Sequence, residues 1–96
     1  MIKNPSQTSH ETLNKLIFTA SKSVRVGAIY RHYKYPDRKY KVIMLAVQET
    51  TEKICVIYQD VAHDNSPAFV RDLDSWLEIV EWEGEIVPRF ILIETQ

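Results

Sequence analysis

The stretch Val24-Arg25-Val26-Gly27-Ala28-Ile29-Tyr30-Arg31-His32-Tyr33, with Tyr35-Pro36-Asp37-Arg38 and the run Lys39 to Gln48 behind it, decides the fold. β-Branched and aromatic residues fill Val24 to Tyr33, as suits a half-buried strand. Gly27 predicts a bend or bulge in it. Pro36 takes the second place of a four-residue turn, where its fixed φ is favoured. Lys39 to Gln48 then predicts a second strand. Ile43, Leu45 and Val47 lie on one of its faces; Tyr40, Val42, Met44 and Ala46 lie on the other. Apolar residues on both faces predict a central strand, or one covered by a helix.

Downstream, Glu49-Thr50-Thr51-Glu52 reads as a polar hairpin tip and Lys53 to Val61 as the returning strand. His63 to Pro67 is a second polar loop. Ala68 to Leu73 predicts a short edge strand. Asp74 is placed to cap a helical turn through Trp76, Leu77 and Ile79. Glu83-Gly84 reads as a tight turn, and Val87 to Ile93 as the last strand. Upstream, Leu13, Leu16, Ile17 and Ala20 recur at helical spacing, with Thr8 and Glu11 spaced as a capping box. Residues 1–7 show no apolar period. The expected organisation is a tail over 1–7, a helical extension over 8–22 and a β domain over 23–96. The class is mainly β: a small SH3-like five-stranded barrel or a strongly bent antiparallel sheet, with an added N-terminal α-helix. An open sheet with that helix across one face is the competing architecture.

Ninety-six residues fit one domain. A hydrophobic fraction of 45% and a charged fraction of 26% are ordinary for a folded chain. The single cysteine, Cys55, lies in an apolar run and reads as a buried small hydrophobe. The first twenty residues lack the apolar core of a secretory signal, and no run is long enough to span a membrane. A cytoplasmic location without membrane contact is expected. The net charge of −1 is unevenly spread. Seven cations between Lys22 and Lys41 face one acid, Asp37; the segment from Asp72 to Glu94 is acidic. Such asymmetry marks a basic binding face or a basic strand paired with an acidic one.

Several motifs in order, Gly27 to Lys34, Glu49-Thr50 with Glu52, Val56-Ile57-Tyr58, Phe69-Val70-Arg71, Trp76-Leu77-Glu78, and Pro88-Arg89-Phe90, carry a resemblance. The chain from Val26 to Ile93 resembles the uncharacterised bacterial family called domain of unknown function 1653. The resemblance implies a compact, stand-alone domain and no particular reaction. Two positions depart from the family pattern. Tyr35-Pro36 stands where the family has glycine after the Tyr-Lys pair, and Gln48 stands where a histidine often precedes the Glu-Thr tip.

Three constellations are candidates for chemistry. In the first, strand alternation sends Tyr30, His32 and Lys34 to one side and Arg31, Tyr33 and Tyr35 to the other. Each side then carries an aromatic beside a cation, a mixture that small barrels use on single-stranded nucleic acid. Buried tyrosines with satisfied hydroxyls are the structural alternative. In the second, Glu49 at the hairpin tip is an ion-pair partner for Arg31 or Arg71, or a general base near His32. In the third, Arg71 and Arg89, with the Tyr58 hydroxyl nearby, are structural ion-pair partners or an anion clamp. His10, His32 and His63 are too scattered for a metal site, and no cofactor fingerprint is present. The leading reading is a binding module for an anionic or planar ligand such as nucleic acid, a nucleotide or a modified residue. Its candidate contacts are Tyr30, Arg31, His32, Tyr33, Lys34, Glu49, Tyr58, Arg71 and Arg89. The alternatives are a protein-interaction or homodimerisation domain acting through the N-terminal helix, and a small hydrolase or transferase using Glu49 and His32.

Overall fold

The computed structural model describes residues 8–95; the expected tail over 1–7 falls outside them. Ser9 starts the first helix, α1 (His10–Ala20), because its hydroxyl accepts from the Thr12 N–H at 3.2 Å. The expected cap, Thr8, is used otherwise. Its N–H and hydroxyl donate to the two carboxylate oxygens of Glu52, at 2.7 and 3.0 Å. Glu52 has a positive φ of 59° at the hairpin tip, so the helix start is tied to a tight turn. After α1 the chain turns at once into the core, where Val24 is fully buried.

Gly27, at φ 88°, makes the turn into β1 (Ile29–His32). β1 lies between β2 (Lys39–Gln48) and β7 (Phe90–Glu94). The expected turn forms, with the Arg38 N–H donating to the Tyr35 carbonyl at 2.9 Å. β2 pairs with β3 (Lys53–Asp60) through a slip between Val42 and Met44. β3 pairs with β4 (Phe69–Asp72). All pairs are antiparallel, in the order β4-β3-β2-β1-β7.

The main body is therefore a five-stranded antiparallel sheet, but it does not close into a barrel. β4 and β7 remain edges. β4 ends after four residues and runs into a single helical turn, α2 (Leu73–Trp76). The cap position of this turn is Asp72, two residues before the expected Asp74, and its last residue fills the interior. Trp76 stacks on Phe90 at 3.8 Å with planes 8° apart, and meets Tyr30 and Tyr58 edge-on at 5.3 and 5.0 Å. Val24, Ala28, Val42 and Val56 complete that core.

A second, two-stranded sheet joins β5 (Ile79–Trp82) to β6 (Glu85–Pro88). Glu83 and Gly84 turn it with φ of 52° and 81°, the backbone of a two-residue hairpin whose twist matches its strands. Ile79 thus belongs to a strand and not to the preceding helical turn. Among the described residues no helix is long and apolar enough to cross a membrane.

Candidate functional site

Strand period and register assemble the site. Tyr30 and His32 share a face of β1; His32 pairs with Phe90, and Tyr30 with Tyr40. On β3 and β4, Tyr58 pairs with Phe69 and Val56 with Arg71. Directly opposed residues lie on the same side of a sheet. His32, Tyr40, Tyr58, Arg71 and Phe90 accordingly meet at one end of one face.

Arg71 is the central cation. It is half-buried. Its Nε donates to the Tyr58 hydroxyl at 3.4 Å and its Nη1 to Ser75 Oγ at 3.0 Å. The guanidinium carbon stands 5.3 Å from the centre of the Phe90 ring. Both of its hydrogen-bond partners are neutral. Among the described residues no carboxylate lies within ion-pair distance of it. Two of the five N–H groups of a guanidinium are used here, which leaves three donors unspent.

Arg89 reaches the same short helical turn. Its Nε donates to the Ser75 carbonyl at 3.1 Å and its Nη2 to Glu78 Oε2 at 2.8 Å. Ser75 therefore receives both arginines, one on its side chain and one on its backbone. Among the described residues Arg89 is ion-paired and Arg71 is not.

His32 lies against this pair. Its imidazole is held below its ordinary value of 6.5, first by burial and then by the positive charges of Arg71, Arg89, Arg38 and Lys34. The ring is neutral at neutral pH. Its Nδ1 accepts from the Lys34 N–H at 3.1 Å, which places the proton on Nε2. The local field is thus positive, and the histidine contributes a donor without adding charge.

The remaining candidates distribute as follows. Tyr30 is 5% exposed and its hydroxyl accepts from the Arg25 N–H at 2.9 Å, so it belongs to the core. Tyr58, 8% exposed, positions Arg71. β1 ends at His32, so the expected alternation stops there. Tyr33 and Tyr35 are not kept on a separate face; both stack on His32, at 4.7 and 5.3 Å with planes 29° apart. Lys34 projects beside them, 5.6 Å from the ring centres of both Tyr35 and Trp82. Arg31 points the other way, into a cleft of about 340 Å³ with Tyr33, Trp82, Glu83 and Glu85.

Glu49 lies apart. It follows the last residue of β2, whose first residue neighbours Arg31. At strand rise this puts it roughly 30 Å along the sheet from His32. It borders a cleft with Thr8, His10 and Glu52 instead. An acid–base pairing of Glu49 with His32, and an ion pair of Glu49 with Arg31 or Arg71, are both removed by this geometry. Among the described residues no group of three or more His, Cys, Asp or Glu side chains could hold a metal ion.

The motifs Tyr30 to Lys34, Tyr58, Arg71, Trp76 and Arg89-Phe90 thus come together in space. A family model described as "Protein of unknown function (DUF1653)" matches residues 28–92. The chain belongs to the DUF1653 family. Helix α1 precedes the matched segment. A crystal structure of a DUF1653 protein from Bordetella bronchiseptica is similar to this chain at 28% identity and a TM-score of 0.64, covering 77% of this chain and 94% of that one. No curated protein matches.

Two contributors to this DUF1653 site escaped the sequence reading: Ser75, which takes both arginines, and Glu78, which neutralises one of them. The available signal was the short polar pair Asp74-Ser75 in the segment between Arg71 and Arg89.

Proposed function

We propose that this DUF1653 protein is a binding module that holds an anionic group of its ligand at Arg71, with Arg89 and His32 completing the site. One observation carries this reading. A half-buried guanidinium that among the described residues has only neutral partners and three unspent donors stands beside a second arginine and a neutral histidine donor. Such a charge gains most from a ligand oxyanion, because charge-assisted bonds are about twice as strong as neutral ones. The Phe90 ring under Arg71 keeps the guanidinium plane in place.

The test is a titration with inorganic phosphate and with a nucleoside monophosphate at low salt, followed by the ring resonances of His32. Binding adds negative charge beside the imidazole, so its pKa rises toward or beyond 6.5. His32 resonances that stay fixed at millimolar ligand would sink the reading. A second reading, homodimerisation through α1, draws on Leu16 and Phe18, which are 47% and 66% exposed. Sedimentation that shows a strict monomer removes it.

A further inference from the structure

Next to the anion site runs a strip of contacting aromatic rings flanked by two cations, Arg38 and Lys34. Arg38 stands 4.3 Å over the Tyr35 ring. Tyr35, 41% exposed, stacks on His32, which stacks on Tyr33. Tyr33 meets Trp82 edge-on at 5.7 Å. Lys34 bridges the two ends of the strip, equidistant from Tyr35 and Trp82. The turn closed by Arg38 N–H on the Tyr35 carbonyl holds the outer ring in place.

From this we infer that the ligand is a single-stranded nucleic acid, whose bases stack along the Tyr35–Trp82 strip; the inference rests on the anion reading, since Arg71 and Arg89 take a backbone phosphate. Aromatic rings with cations close beside them are what an unpaired strand needs, because every base presents a π-face and every sugar a phosphate, and the exposed Arg38 can yield its place over Tyr35 to a base. The strip accommodates about two or three bases, as other sheet-borne platforms do. A duplex hides its base faces and would meet only the charges. The chain as a whole is slightly acidic, which disfavours duplex binding through charge alone. Glu83 and Glu85 stand beside Trp82 in the neighbouring cleft. They confine the phosphates to the Lys34 and Arg38 side of the strip, which gives the strand one track.

The experiment is fluorescence anisotropy with a labelled oligothymidine of about ten nucleotides, on the full chain at low ionic strength. An oligoglutamate peptide of equal charge serves as comparison. Tyr35→Ala, at an exposed position, is expected to weaken oligonucleotide binding roughly 5- to 100-fold, the loss of one stacked base. Tyr35→Phe keeps the ring and is expected to retain binding. Melting curves confirm that both variants fold. With three or four phosphates neutralised, log affinity falls against log salt with a slope of about −2 to −3. Equal affinity for oligothymidine and oligoglutamate overturns the inference, and so does a Tyr35→Ala variant that binds as the parent does. If phosphate still shifts His32 while the oligonucleotide fails to bind, the inference falls and the anion reading stands. If neither ligand binds, both fall.

Discussion

Replacing Arg71 with Met tests whether its charge serves a ligand or the fold, because Met keeps a flexible stem and loses the guanidinium. The structural cost is modest. Its two hydrogen bonds go to neutral oxygens at 3.0 and 3.4 Å. The shorter contributes about 1 kcal/mol net and the longer one less. The contact over Phe90 adds roughly 0.5–1 kcal/mol. Relief from the charge of Arg89 offsets part of this. Arg71→Met should therefore lose about 1–2 kcal/mol, a melting point lowered by roughly 5–15 °C for a domain of this size. Its effect on phosphate should be larger in relative terms. One charge-assisted contact is worth about 1.5–3 kcal/mol, so affinity falls roughly 10- to 100-fold. His32 supplies an independent readout. Burial is the first cause of its lowered pKa and Arg71 the second. In Arg71→Met the pKa should rise but stay below 6.5. The stability profile follows with a definite sign. Above pH 6.5 the ring is neutral in both states. As pH falls below 6.5 the unfolded chain takes up the proton first, and the native state loses stability. The variant, with a smaller gap between the two values, should lose less over that range. Proton NMR titration of His32, urea denaturation and calorimetric phosphate binding measure the three quantities. Unchanged phosphate affinity with an unmoved His32 would refute the reasoning. A stability loss above about 4 kcal/mol would instead mark Arg71 as a structural strut.

Trp76→Ala should cost about 3–5 kcal/mol in urea denaturation, since it removes the ring stacked on Phe90 from a 2% exposed site. That is a large share of the stability expected for one small domain. Glu52→Ala should cost about 1–2 kcal/mol by removing both bonds to Thr8, with faster amide exchange in the first turn of α1. Glu52→Gly should cost less, because glycine accepts the positive φ at that position. The Cys55 thiol is pushed up by burial first and by the Asp72 carboxylate second. It should react with a thiol reagent only as fast as the protein opens, and at full rate in denaturant.

The strands of the main sheet were legible because their signals are local. The Pro36 turn, the polar tip after Gln48 and the alternation in Lys39 to Gln48 each dictate structure within a few residues. The β5–β6 hairpin was half legible. Glu83-Gly84 announced the turn, but Ile79-Val80-Glu81-Trp82 is only one short strand long, and no Gly or Pro stands before Ile79 to stop the preceding helical turn. The difference between a barrel and an open sheet was not legible at all. Closure needs β4 to reach β7, and β4 stops after four residues. The chain then spends Trp76 on the interior, where it meets Phe90 from the far end of the sequence. No periodicity encodes that meeting.

The site shows the same division between residue type and partner choice. Arg71 and Arg89 stood out in sequence because each is a cation among apolar strand residues. Sequence could not say which of them would find a carboxylate, because acids are plentiful throughout the C-terminal third. The answer depends on where α2 ends. One helical turn sets Ser75 between the two arginines and carries the chain on to Glu78, within 2.8 Å of Arg89. Among the described residues Arg71 donates only to the Ser75 and Tyr58 hydroxyls. A polar turn one residue longer or shorter would rotate Ser75 by about 100° around the helix axis and take its hydroxyl from Arg71. The unspent charge at Arg71 is therefore a product of helix phase, and helix phase at a four-residue turn is visible only in three dimensions.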